Sequence, residues 1–344
     1  MKILLTADPG IPVPPTGYGG IERIIDALAR GLVGRGHAVA LVAHPDSTCP
    51  GVRLFSWPDL GTTGLTSQMR QAAHLAQSTR RFQPDVVHSF SRLALLLPLM
   101  ADRQPMVMSY QRHTGGAGVR IAALLGGACL RFSGCSDFIC DMGRKAGGDW
   151  TTIPNFVETA ACTYGPHVPA DAPLVFLSRI DRIKGPDLAI AIARKAGRRL
   201  ILAGNIPSDP GGQAFWQKHI EPELGKNGVE WVGEVDDFRK NELLSSAAAL
   251  LLPIQWEEPF GIVFAEALAC GTPVLTCPRG AAPEIVHPGQ NGFLFRTLDG
   301  GVEAVERLSL IDRAACRRDA EARFSATSAV ERYLDLYQGL LHDC

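Results

Sequence analysis

Glu258 and Glu266 stand eight residues apart in the segment EPFGIVFAE, and the residues around them suit an anionic ligand. The segment follows an apolar run at 249–253 and enters a helical pattern at 260–269. Pro259 fits the first helical position. The amides of Phe260, Gly261, Ile262 and Val263 would then lack intrahelical acceptors at the positive end of a helix, where a phosphate can be held. Gly261 has no Cβ and lets a ligand approach the backbone. Eight helical residues span about 12 Å. Carboxylates that flank one glycosidic bond sit roughly 5–9.5 Å apart. The pair therefore suits two ends of a long ligand; a capping Glu and an exposed helical Glu are the bland alternative.

The run SRIDRIKG, residues 178–185, offers Arg179, Arg182 and Lys184 at the end of an apolar strand pattern. Such cations can hold a diphosphate, Arg in bidentate fashion, or can form a solvated basic loop. Gly17-Tyr18-Gly19-Gly20 opens the first helix and could close on a phosphate or a sugar, or make a simple turn. It is not G-x-G-x-x-G, and no acidic residue stands where a dinucleotide ribose would need one, which disfavours an NAD-dependent dehydrogenase. His113 follows a strand pattern at 106–110, beside Thr114. It reads either as a structural histidine or as a side chain touching substrate. Asp236-Asp237 opens a loop and reads as helix capping rather than a metal motif.

The elements that must position these residues alternate between strand and helix. Residues 2–7, 38–43, 85–89, 106–110, 130–133 and 151–153 read as strands, with helices at 66–82 and 137–146. Ile21, Ile24, Ile25, Leu28, Ala29 and Leu32 mark one face of a helix between the first two strands. Residues 159–173, with three prolines and no apolar period, read as an interdomain linker. A second series has strands at 174–178, 200–203, 230–232, 249–253 and 274–276, and helices at 187–195, 213–224, 240–247 and 260–269. The expectation is α/β, with two Rossmann-like domains facing each other across a cleft. The tail at 326–341 places Val330, Tyr333, Leu334, Tyr337, Leu340 and Leu341 on one face, which would pack back on the first domain. The domains are therefore 1–157 plus 326–344, and 158–325.

Composition agrees with a globular two-domain chain: 344 residues, 46% hydrophobic and 20% charged. The net charge of −1 excludes a general nucleic-acid binder. Residues 1–157 carry 15 Lys/Arg against 10 Asp/Glu, and the rest carry 19 against 25. That asymmetry is a solvated face or an attraction to anions; peripheral membrane contact is an alternative that is not favoured. Nine cysteines without a C-x-x-C pair give no disulfide framework and no zinc site, and fit a reducing cytosol. The opening residues do not read as a secretory leader, and the apolar stretch 93–101 is half a membrane span and contains Pro98.

Together the motifs resemble the retaining, nucleotide-sugar-dependent glycosyltransferases of family 4, which have the GT-B fold. Ile153-Pro-Asn-Phe-Val-Glu158 is similar to the family's I-P-N-G-V-D, with Phe156 in place of glycine. Arg179 and Lys184-Gly185 match its phosphate loop, and Glu258 and Glu266 its E-x(7)-E motif. Gly280-Ala-Ala-Pro-Glu-Ile-Val286 and Asn291-Gly-Phe-Leu294 resemble the run that follows. The resemblance implies that Arg179 and Lys184 neutralise the donor diphosphate. Glu258 would hold donor-sugar hydroxyls, Glu266 the ribose, and the amides of Phe260, Gly261, Ile262 and Val263 the sugar and phosphate. His113 would contact the sugar near the reacting carbon, Val235 would line the base pocket, and Gly19 and Gly20 would close on the diphosphate or the acceptor. The implied activity is metal-independent transfer of a hexose from a UDP-sugar to a glycan, lipid-linked sugar or natural product, with no cofactor beyond the donor, in the cytoplasm. A nucleotide-sugar epimerase and a non-catalytic nucleotide-sugar-binding partner protein are the alternatives.

Overall fold

Near-continuous runs of Val, Ile, Leu and Ala make strands that are buried on both faces, the pattern a parallel sheet covered by helices requires. In the computed structural model, which describes residues 1–17, 19–60 and 64–344, the chain forms two such units. The first comprises Met1–Phe156 and Ala326–Cys344; the second is Val157–Ser325.

The first unit holds β1 (Lys2–Thr6), α1 (Gly20–Val33), β2 (Ala38–Ala43), β3 (Arg53–Ser56), α2 (Leu65–Phe82), β4 (Val86–Ser89), α3 (Leu97–Met100), β5 (Met106–Tyr110), α4 (Gly116–Gly126), β6 (Leu130–Gly134), α5 (Asp137–Arg144) and β7 (Trp150–Thr152). Its sheet is parallel, in the order β3-β2-β1-β4-β5-β6-β7. The second unit holds β8 (Leu174–Leu177), α6 (Pro186–Lys195), β9 (Leu200–Ala203), α7 (Pro210–Phe215), β10 (Val229–Trp231), α8 (Asp237–Ser246), β11 (Ala249–Leu252), α9 (Ile262–Ala269), β12 (Val274–Thr276), α10 (Ala282–Ile285), β13 (Gly292–Leu294), α11 (Leu298–Glu306) and α12 (Arg313–Phe324). Its order is β10-β9-β8-β11-β12-β13, again parallel.

Two expectations are corrected, and a third in part: the tail packs on the first unit as expected but leaves Leu341 exposed. Residues 159–173 are not a free linker: the Gly165 amide donates to Cys270 O at 3.0 Å, and Arg313 Nε donates to Gly165 O at 2.6 Å, binding the segment into the second unit. A disulfide joins Cys129 to Cys344, where none was expected. The last helix, α13 (Ala326–Asp343), runs back over the first unit and carries residue 344 to the start of β6. On α13, Val330, Tyr333, Tyr337 and Leu340 are buried, whereas Leu341 is exposed and Leu334 half-buried.

The anchorage of α13 combines shape and polar contacts. A Cβ on Gly31 would lie 2.6 Å from Val330 Cγ2, so the glycine lets α1 and α13 approach closely. His88, fully buried in β4, meets the Tyr337 hydroxyl through Nδ1 and the Ser109 hydroxyl through Nε2, both at 2.6 Å. Burial depresses the His88 pKa to about 3. The folded protein resists this proton, while the unfolded chain takes it up near pH 6.5. Stability is thus complete above pH 6.5 and is lost as pH falls from there toward 3. At pH 5 the loss is about 2 kcal/mol. Urea unfolding at pH 7 and pH 5 should show this loss in the wild type and a loss smaller by about 2 kcal/mol in His88→Gln; equal losses in the two proteins would contradict the assignment.

Candidate active site

The sheet of the second unit reverses its strand order between β8 and β11, and in open α/β sheets that switch point is where ligands bind. The loops leaving β8, β11 and β12 meet there. The Gln255 amide donates to Ile183 O at 2.7 Å, and the Ala281 amide to Glu258 O at 2.8 Å. The Gly280 amide donates to Glu257 Oε2 at 2.6 Å. Gly185, with φ +74°, packs against the Pro253 carbonyl where no side chain would fit.

The floor of this site is an ion pair. Lys184 Nζ lies 2.5 Å from Glu258 Oε2, which also accepts from Trp256 Nε1 at 2.7 Å. Glu258 is only 7% exposed, and these contacts offset the cost of burying a polar side chain. Lys184 also sits 5.0 Å from the centre of the Trp256 ring. Arg179 is more open; its guanidinium lies 3.5 Å from Asp181 Oδ2.

The helix after Glu258 begins later than the sequence suggests. Gly261, at φ +81° and ψ +74°, is the N-cap of α9, so Pro259 and Phe260 lie outside the helix. Phe260 instead buries its ring edge-on to Phe324. Glu258 is therefore a loop residue, and the 12 Å helical spacing does not apply to it. Among the described residues no side chain caps α9, and its first amides, Ile262 and Val263, have no intrahelical acceptor. A Cβ on Gly261 would lie 3.4 Å from Glu258 Cγ, so the start of the helix adjoins the buried carboxylate.

Glu266, one turn into α9, receives Lys240 Nζ at 2.6 Å; Lys240 also reaches Asp237 Oδ1 at 2.8 Å. Burial pushes the Lys240 ammonium down, but Glu266 and Asp237 outweigh it and hold the pKa above the usual value. Sequence reasoning missed Lys240 and Trp256. Nothing in the spacing joins Lys240 to Glu266, although the cation one turn after Asp236-Asp237 was a visible signal. Asp236 caps α8 by accepting from the Arg239 amide at 2.8 Å, as expected. Val235 is half-buried on the loop before it.

In the first unit, His113 is exposed after β5, edge-on to Phe138 at 5.7 Å. Gln111 Oε1 and Thr114 Oγ1, on either side of it, are buried without a hydrogen-bond partner among the described residues. Gly19 is the N-cap of α1 and Gly20 its first residue; Tyr18 between Gly17 and Gly19 lies outside the described residues. Near this turn, Arg112 pairs with Asp8 at 2.9 Å, and burial raises the Glu22 pKa, with Asp8 adding to it. Their association was not legible in the sequence. Among the described residues, no three His, Cys, Asp or Glu side chains cluster as a metal site, and no helix is long and apolar enough to cross a membrane.

Two family models match successive parts of the chain. One, described as Glycosyltransferase Family 4, covers residues 18–161. The other, described as Glycosyl transferases group 1, covers 168–317. Glycogen synthase of Mycobacterium tuberculosis is 29% identical over 368 aligned positions, spanning 90% of this chain and 86% of that protein. The D-inositol 3-phosphate glycosyltransferase of Mycolicibacterium smegmatis is 32% identical over 200 positions, 55% of this chain and 45% of that protein. Among solved structures, AviGT4, a glycosyltransferase involved in avilamycin A biosynthesis, is 26% identical with a TM-score of 0.74, covering 100% of this chain and 98% of that one. HepE of Anabaena, solved with UDP and glucose, shares the fold at 20% identity and a TM-score of 0.75, covering 98% of this chain and 99% of that one.

Proposed function

The chain belongs to the group 1 glycosyltransferases, and from that premise we propose that it moves a hexose from UDP-hexose to a hydroxyl acceptor, with retention and without a metal ion. The observation that carries this reading is the uncapped start of α9 beside the buried Lys184–Glu258 pair at the β8/β11 switch point. A helix start and two cations are what a departing nucleoside diphosphate needs. Arg179 and Lys184 neutralise it, and the Ile262 and Val263 amides add donors. Glu258, held in place by Lys184 and Trp256, accepts from donor-sugar hydroxyls. Glu266, oriented by Lys240, accepts from the ribose hydroxyls. UDP is chosen partly because the HepE complex contains it.

In the proposed reaction, the bond from the anomeric carbon to the diphosphate oxygen breaks and its electron pair leaves with the oxygen. The acceptor oxygen bonds to the same face of that carbon, and its proton passes to the departing diphosphate. Cations that stabilise the leaving group take the place of a metal. In the first unit, Gln111 Oε1 and Thr114 Oγ1, beside His113 and without a hydrogen-bond partner among the described residues, offer partners to sugar hydroxyls.

The two glutamates should separate in kinetics. Glu258→Ala is expected to lower kcat about a hundredfold, and Glu266→Ala to raise the donor KM about tenfold with kcat nearly kept. Steady-state rates of UDP release in EDTA, with NMR of the product anomer, test the whole reading. Loss of activity in EDTA would contradict metal independence, and inversion at the anomeric carbon would contradict retention.

A further inference from the structure

A cavity lies beside the site described above, sharing the loop after β8 with it. It has a volume of about 430 Å³ and is lined by Asp181 and Arg182 from the loop after β8, and by Asp209, Phe215, Lys218 and His219 from the segment around α7. That volume is in the range of pockets that hold small molecules, and all of it belongs to the second unit.

The charges in this cavity are unevenly committed. Asp181 accepts from the Ile183 amide at 3.3 Å and faces Arg179 at 3.5 Å. Asp209 caps α7 through the Gly212 amide at 3.0 Å. Arg182 and Lys218 have no ion-pair partner among the described residues. Arg182, which the sequence offered with Arg179 and Lys184 as a cation for a diphosphate, lines this cavity.

The backbone here is also unusual. Trp216–Ile220 is a single π-helical turn, a form that is rare and concentrates at functional sites. Trp216 and Ile220 are buried, and Trp216 packs on Trp231 at 4.8 Å, so the widened turn leaves Lys218 and His219 together on the cavity wall. The His219 ring stacks on Phe215 at 5.2 Å and 29°, placing a pair of aromatic rings on the wall.

We propose that this cavity binds a phosphorylated sugar, with Arg182 and Lys218 on the phosphate and the Phe215–His219 wall against the sugar ring. The phosphate supplies the charge the two uncommitted cations lack. The ring fills a space larger than phosphate needs. This inference is independent of the donor reading, because none of the residues that it gives to the phosphate or the ring is among those proposed to hold the nucleotide sugar.

Calorimetric titration of the full chain with glucose 1-phosphate and with glucose 6-phosphate tests it, using wild type and Lys218→Ala of equal Tm. At least one sugar phosphate should bind the wild type, roughly tenfold more weakly to Lys218→Ala, and saturating UDP should not displace it. Inorganic phosphate and glucose should each bind more weakly than the ester. Binding of neither ester, equal binding by the two proteins, displacement by UDP, or inorganic phosphate binding as tightly as the ester would each overturn the proposal.

Discussion

Alanine at both Arg179 and Lys184 is expected to lower the rate of sugar transfer by about a thousandfold or more. Two effects combine. Both cations are withdrawn from the leaving diphosphate, and Glu258 loses its ion pair and keeps the hydrogen bond from Trp256 Nε1. Stranding a buried carboxylate costs about 3–5 kcal/mol when its partner is removed, so Lys184→Ala should also lower the urea midpoint. Arg179 is different. It is more than a third exposed and 3.5 Å from Asp181, a pair worth little to stability. Arg179→Ala should therefore lower turnover while leaving the urea midpoint nearly unchanged. Wild-type turnover in the double variant would contradict the diphosphate assignment, whatever its stability.

Gly280→Ala should be a severely damaging single methyl group at the site. Gly280 has φ +56°, and a Cβ there would fall well inside contact distance of the backbone N and O of Glu258 and 2.8 Å from Glu257 C. The backbone that holds the carboxylate would have to move. The expected cost is more than about 3 kcal/mol, with transfer activity lost as Glu258 shifts. Gly289→Ala is the control, since Gly289 has φ +80° with nothing within 4 Å of the added Cβ. It should cost only the left-handed strain, about 1–2 kcal/mol, and keep its activity. Paired denaturation curves and rates distinguish the two; equal effects would mean that the approach to Glu258 is not what requires Gly280.

The strands that carry the site were legible because burial on both faces forces continuous apolar runs, as in β8, β9, β11 and β12. Arg179, Lys184, Glu258 and Glu266 were legible as candidates because their types occur at family spacings. Other features left no such trace. β3 is a four-residue strand, RLFS, with a charged first residue, and β13 has three residues. The glycines of α4, GAGVRIAALLG, make a helix look like a loop. The late start of α9 depends on one left-handed glycine, which spacing cannot reveal. Lys240 and Glu266 are 26 residues apart, and Cys129 and Cys344 are 215 apart. Only the folded chain brings such pairs together.

The central claim is that the second unit binds the nucleoside diphosphate of a sugar donor through Arg179, Lys184, Glu258, Glu266 and the start of α9. Titrating the purified protein with UDP, GDP, ADP, dTDP and NAD, in wild type and Glu266→Ala, addresses it most directly. Saturable binding of UDP that is selective over the others and at least about tenfold weaker in the variant is the predicted result. Binding of none of the diphosphates, or binding of NAD alone, would contradict it.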